Sequence, residues 1–188
     1  MERPPLRSVA VFCGSRAGAR PAYTEAAREL GATLAARGLE LVYGGASVGL
    51  MGQVADAALA GGGRVHGVIT RPLAGAEIGH PGLTELVLVD SLSERKAAMA
   101  ARADAVVALP GGFGTFDELF EVITWNQLGL HTMPCGVLDV AGFFEPLRQQ
   151  LDRAVADGFI RPEHAAVVVF DHSVDGLIDA LAAWRPGP

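Results

Sequence analysis

The sequence predicts an α/β fold, a Rossmann-like parallel sheet with helices on both faces, and three observations carry that prediction. Short β-branched runs alternate with alanine-rich helical patterns along the whole chain. Half of the 188 residues are apolar while only 6% are aromatic, a balance suited to a closely packed interior of Val, Leu, Ile and Ala. Glycine turns follow three of the predicted strands, at "CGSRAG", "YGGASVGLMG" and "LPGGFGT". A chain of this length buries about 70% of the surface its unfolded state exposes, enough for one domain without disulfide or metal staples.

Taken in order, "SVAVFC" reads as a strand and "PAYTEAARELGATLAARG" as a helix, then "LELVYGG" and "VGLMGQVADAALAGGG" repeat the pair. "RVHGVIT" is a third strand. "TELVLVD" fits either a further strand or part of a longer crossover. The helix "ERKAAMAARA", the strand "DAVVALPGG", a helix from Phe116 to Leu130, the strand "CGVLDV", the helix "FFEPLRQQLDRAVADG", the strand "AAVVVF" and a helix to Trp184 complete the series. This βαβ rhythm belongs to a parallel sheet covered on both faces. One domain over residues 1–188 is expected, with loose tails at about 1–6 and 185–188.

Charge and composition exclude several functions. The net charge of −6 is spread along the chain, so no basic footprint for nucleic acid or an acidic membrane surface exists. No apolar run reaches the length of a membrane span, and "MERPPLR" lacks a secretory h-region, so a cytoplasmic protein is expected. Cys13 and Cys135 stand apart, as buried thiols of a reducing compartment would. His66, His80, His131, His164 and His172 are scattered without ligand spacing, so no metal site is expected.

In an open parallel sheet, ligands bind where strands end and helices begin, so the glycine turns are where chemistry is expected. The first turn lacks G-x-G-x-x-G, which disfavours a dinucleotide cofactor. Gly44 and Gly49 have Walker spacing, but Leu50 stands where the phosphate-gripping lysine would be. "PGGFGT" is stronger, because its glycines free the backbone to aim N–H groups inward and a helix N-terminus attracts an anion. Thr115 and Glu118 also fit a capping box, with Glu118 bonding back to the helix start. Asp117, Glu121 and Thr124 share one polar stripe at i, i+4 and i+7, and two like charges there cost a few tenths of a kcal/mol that a facing ligand or cation offsets. The cation is suggested by Arg95 and Lys96, the latter the one lysine in the chain, although spacing alone favours a solvated pair.

With "PGGFGTFDE" and "ERKAAM" together, the chain resembles the LOG family, the cytokinin riboside 5′-monophosphate phosphoribohydrolases, often mislabelled as lysine decarboxylases. Pro110 to Glu118 match the signature P-G-G-x-G-T-x-x-E, and Arg95, Lys96 and Met99 match an Arg-Lys pair followed by Met. The resemblance implies cleavage of the N-glycosidic bond of a nucleoside 5′-monophosphate, AMP or an N6-prenylated AMP, without a cofactor. It implies Arg95 and Glu118 as catalytic residues, and Glu77, Arg95, Lys96, Gly112, Phe113, Gly114, Thr115, Phe116, Asp117, Glu118 and Thr124 as substrate contacts. It further implies a homodimer, for which the nearly all-round apolar helix from Phe116 to Leu130 is suited. Ser93, where many members carry His, and Ala46, in place of a third glycine, depart from the pattern. Two other readings are a non-catalytic nucleotide or cofactor carrier, which has no need of a carboxylate at Glu118, and a pyridoxal-dependent decarboxylase, which would need Lys96 as its Schiff-base lysine.

Overall fold

The computed structural model describes residues 5–74 and 79–185. Seven parallel strands form one sheet: β1 (Ser8–Phe12), β2 (Glu40–Tyr43), β3 (Val65–Thr70), β4 (Glu85–Val89), β5 (Ala105–Ala108), β6 (Cys135–Leu138) and β7 (Val168–Asp171), in the spatial order 4-3-2-1-5-6-7. The helices are α1 (Pro21–Ala36), α2 (Gly49–Ala60), α3 (Arg71–Ala74), α4 (Leu92–Ala101), α5 (Phe113–Gln127), α6 (Glu145–Ala156), α7 (Pro162–Ala165) and α8 (Val174–Ala183).

Strand alternation sorts the interior into two layers. Val9, Val11, Leu41, Tyr43, Ala105 and Val107 face α1, α2 and α8, while Ala10, Phe12, Val42, Val106 and Ala108 face the side of α4 and α5. The central strands are therefore apolar on both faces, as a doubly covered sheet demands. "TELVLVD" resolves as the edge strand β4, paired to β3 from His66↔Glu85 to Thr70↔Val89 and half open to solvent. The short helices α3 and α7 lay outside the periodic pattern, since four residues make too little of a helical period to read. Leu6 packs against the interior, and Arg185 donates to the carbonyls of Ala182, Ala183 and Trp184 at the end of α8.

The chain winds outward from β1 to β4, then returns to place β5 on the other side of β1. The switch point of the sheet thus lies between β1 and β5, where two glycine turns meet. Gly14 N–H donates to Pro110 O at 3.1 Å, and a Cβ on Gly111 would stand 2.1 Å from Thr115 Oγ1. The first, second and third glycine turns all leave the sheet along its C-terminal edge, as the sequence predicts.

On the other face of β1, Gly31 lets α1 lie against α2: a Cβ there would come within 2.3 Å of Val54 O. A Gly31→Ala substitution therefore opposes two effects, about 1 kcal/mol of helix propensity gained against roughly 1–3 kcal/mol of overpacking. Because the obstacle is backbone, the clash wins. Thermal unfolding of Gly31→Ala is expected to show a Tm lower by about 2–6 °C.

Candidate active site

The cleft at the switch point has a volume of about 310 Å3 and is walled by Cys13, Gly14 and Ser15 behind β1, Gly44 behind β2, Leu92 and Arg95 of α4, and Gly112 to Thr115 with Glu118 of α5. Val11, Met51 and Leu73 complete the lining. Each of these groups sits at or just beyond a strand's C-terminal end, so the sheet itself gathers them.

α5 begins earlier than the sequence suggests. Gly112 is its N-cap and Phe113 its first residue, and the first bond of its ladder runs from Phe116 N–H to Gly112 O at 3.1 Å. The N–H groups of Phe113, Gly114 and Thr115 consequently lie outside the ladder, at the positive end of a 15-residue helix. Thr115 is a helical residue rather than the cap, so the capping box expected between Thr115 and Glu118 does not form. The same Ser/Thr-x-x-Glu spacing is used instead at α4, where Ser91 Oγ accepts from Glu94 N–H at 3.1 Å and Glu94 Oε2 accepts from Asp90 N–H at 3.0 Å. That cap sets the start of α4 and turns the next residue, Arg95, inward.

Arg95 is held by three acceptors: Nε donates to Val68 O at 3.0 Å, Nη1 to Glu118 Oε1 at 2.9 Å, and Nη2 to Gly44 O at 3.4 Å. Both members of the ion pair are 8% exposed. The sequence left Arg95 as one half of a solvated pair; the structure buries it, because Met99 one turn later anchors α4 to the sheet and Gly44 leaves room. A Cβ on Gly44 would stand 2.1 Å from Nη2. Charges buried like this repay their desolvation only when paired and hydrogen-bonded, which the two carbonyls and the carboxylate accomplish.

Lys96 points the other way. Its Nζ lies 2.9 Å from both Asp117 Oδ2 and Glu121 Oε2, so it is the cation that the acidic stripe of α5 called for. Burial alone would lower its pKa, but hydrogen bonds to Asp117 and Glu121 outweigh this and raise it. A lysine held protonated between two carboxylates, and outside the cleft lining, does not fit the neutral amine that a pyridoxal Schiff base requires. Lys96, Phe116, Asp117 and Thr124 lie beside the cleft rather than in its lining. Phe116 stacks edge-on to Phe144, with ring centroids 6.3 Å apart, and Thr124 Oγ1 donates to Phe120 O at 2.7 Å. Glu77 lies outside the described residues. Ala46 is fully buried and accepts from Tyr43 Oη at 3.2 Å, while Ser93 is exposed in the first turn of α4.

Sequence reasoning passed over Cys13, Ser15, Met51, Leu73 and Leu92 in the cleft. "CGSRAG" reads as a plain tight turn, and isolated apolar residues carry no signal of which loop they will meet. Among the described residues, no helix is long and apolar enough to cross a membrane.

A parallel sheet with an anion-attracting helix N-terminus and a buried Arg–Glu pair at its switch point defines a Rossmann-like protein built around a small-molecule cleft. Comparison with known proteins narrows this class. Residues 51–181 match the family described as "Possible lysine decarboxylase". A probable cytokinin riboside 5′-monophosphate phosphoribohydrolase of Oryza sativa subsp. japonica is 50% identical over 96% of this chain and 80% of its own. A cytokinin riboside 5′-monophosphate phosphoribohydrolase of Arabidopsis thaliana is 44% identical over 96% of this chain and 85% of its own. The chain belongs to the LOG family. Among solved structures, the molybdenum cofactor carrier protein of Chlamydomonas reinhardtii superposes with a TM-score of 0.70 at 22% identity, covering 93% of this chain and 95% of that one, a likeness of fold.

The two thiols supply a test of the packing around the site. Burial first, then the Glu118 carboxylate, push the Cys13 thiol up against the opposing pull of Arg95. Burial pushes Cys135 up to about 12, against a hydrogen bond from Asn126. An unfolded thiol ionises near pH 8.5, so above that pH the unfolded chain binds fewer protons than the native one and stability falls as pH rises. Chemical denaturation at pH 7.5 and 9.5 is expected to show roughly 2–3 kcal/mol lost to the two thiols together, a limb that a Cys13→Ala, Cys135→Ala double variant flattens. Native protein is expected to resist thiol-specific reagents at pH 8, with both cysteines labelled only after unfolding.

Proposed function

We propose that the protein is a phosphoribohydrolase that cleaves the N-glycosidic bond of adenosine 5′-monophosphates, N6-substituted ones among them, to release the free base and ribose 5-phosphate. The observation that carries the reading is the position of Glu118, buried in the second turn of α5 behind its open N-terminus and paired to Arg95 in the same cleft. The activity named for the relatives from Oryza sativa and Arabidopsis thaliana supports it.

The chemistry follows from charge. Cleavage at C1′ builds positive charge on the ribose ring and negative charge on the departing base. The 5′-phosphate rests on the N–H groups of Phe113, Gly114 and Thr115, with Gly112 giving the backbone its close approach. Glu118 lies about 4.5 Å further along the helix axis than Thr115, the distance from phosphate toward the sugar, and helical side chains lean back toward the N-terminus. Its carboxylate faces the ring, stabilises the oxocarbenium-like centre and orients or deprotonates the attacking water. Arg95 pairs with Glu118 and with developing negative charge; a guanidinium is a poor proton donor, so it is not the general acid. Lys96 and Asp117 lie beside the phosphate site, with Phe116 and Thr124 on the same helix, and Glu77 completes the proposed substrate contacts. No cofactor takes part.

The reading extends to a homodimer and a cytoplasmic setting. Phe120, Leu128 and Leu130 leave apolar surface exposed along and just beyond α5, the kind of face a second copy covers, and both cysteines are free thiols.

Purified protein incubated with AMP, GMP, CMP and isopentenyladenosine monophosphate is expected to release free base from the adenine nucleotides, scored by chromatography. Tight nucleotide binding with no release would instead favour a carrier. Glu118→Gln, which keeps a hydrogen-bond acceptor for Arg95, is expected to lower kcat by about 10²–10³-fold with substrate still bound. Arg95→Ala is expected to weaken both kcat and binding, and also to destabilise the fold by roughly 3–5 kcal/mol because the buried Glu118 loses its guanidinium partner. Light scattering at micromolar concentration is expected to give twice the chain mass; a monomer refutes the dimer.

A further inference from the structure

Arg95 is aimed by two main-chain carbonyls, one within β3 and one just beyond β2, and the latter belongs to a turn of two glycines. Gly44 O accepts Nη2 at 3.4 Å, the outer limit of a hydrogen bond, so a displacement of a few tenths of an ångström abolishes it. Gly45, next in the chain, has φ +78°, a conformation open to glycine, and neither glycine has a side chain to hold the turn, which is tied locally by Tyr43 Oη donating to Ala46 O at 3.2 Å.

A second anchor comes from elsewhere in the chain. His80 N–H donates to Gly45 O at 2.9 Å, and Gly79 pairs with Ala46 in an isolated antiparallel bridge. Residues 79–82 therefore lie as a strap against the turn that carries the Gly44 carbonyl. The strap is itself fastened by the His80 side chain, which is 9% exposed. Its Nδ1 accepts from Gly82 N–H at 3.1 Å, so the ring proton sits on Nε2 and is donated to Asp56 Oδ1 of α2 at 2.9 Å. Neither His80 nor Asp56 lines the cleft.

We propose that His80 and Asp56 are positioning residues that lock this strap onto the Gly44–Gly45 turn and thereby set the orientation of the Arg95 guanidinium. The kinetic part of the inference rests on the proposed base-releasing reaction. The phosphate grip at the start of α5 shares no group with the strap, so loosening it disturbs the reacting end of the substrate and spares its anchor. Misplacement of a positioned group by about 1 Å costs up to 10²-fold in rate.

The test compares Asp56→Ala, Asp56→Asn and His80→Ala. Asp56 is a largely exposed side chain, so its variants are expected to fold. Asp56→Ala is expected to lower kcat about 10-fold with KM for AMP within about twofold, and Asp56→Asn, which keeps Oδ1 as acceptor, to stay close to the unsubstituted enzyme. His80→Ala is expected to reproduce the loss seen in Asp56→Ala. The second readout is nuclear magnetic resonance of the Arg95 Nε–H, which donates to Val68 O, together with hydrogen exchange at residues 44–46. In Asp56→Ala the Nε–H signal is expected to shift and the 44–46 amides to exchange faster, both restored in Asp56→Asn. Unchanged kcat and unchanged signals in Asp56→Ala overturn the inference. So does equal impairment of the Ala and Asn variants, or a fall in Tm with kcat per folded molecule intact. Should the unsubstituted protein release no base, the proposed reaction fails while the Arg95 and exchange signals still decide the strap.

Discussion

A guanidinium and a carboxylate, both taken almost wholly out of water, impose conditions on every loop around them. The pair formed by Arg95 and Glu118 survives burial because the remaining donors of the arginine find Val68 O and Gly44 O. Those two carbonyls lie within β3 and just beyond β2, so the pair is possible only with these strands adjacent and in register. Gly44 must lack a side chain, α4 must begin at the Ser91 cap, and α5 must begin two residues after Gly111. Remove any one and a buried charge loses a partner.

The adjacent residues Lys96 and Asp117 form a second contact between the same two helices, reinforced by Glu121. The inner contact lies in the cleft and the outer one beside it, so α4 and α5 are joined twice along one seam. The outer contact is partly solvated and contributes little energy by itself. Its value is geometric, since it limits how far α5 can pivot about the inner pair.

The fold was legible because strand alternation and helical period act locally, and the parallel order follows from helices long enough to cross between neighbouring strands. β4 was ambiguous because an edge strand is half exposed and its pattern weakens accordingly. In the site, the glycine loop and the Arg–Glu residue types are legible, while the pattern alone does not say which of two possible capping boxes forms. Thr115-x-x-Glu118 and Ser91-x-x-Glu94 have identical spacing. What separates them is where the chain leaves the preceding strand, and with Gly112 free to act as cap, α5 starts before Thr115 is reached. The burial of Arg95 was invisible for a related reason, because it depends on a missing Cβ at Gly44, fifty-one positions earlier. His80 and Ser15 acquire their places only from contacts between loops distant in sequence.

Much of this cleft is written in main-chain atoms: three helix-end amides, the carbonyls of Val68 and Gly44, and glycines that let them approach. The side chains at its mouth, Leu73, Leu92 and the 95% exposed Phe113, have no part in that framework. Such a division lets selectivity drift independently of grip. Descendants of this chain can exchange the rim one residue at a time and try new ligands, while the main-chain framework beneath is passed on intact.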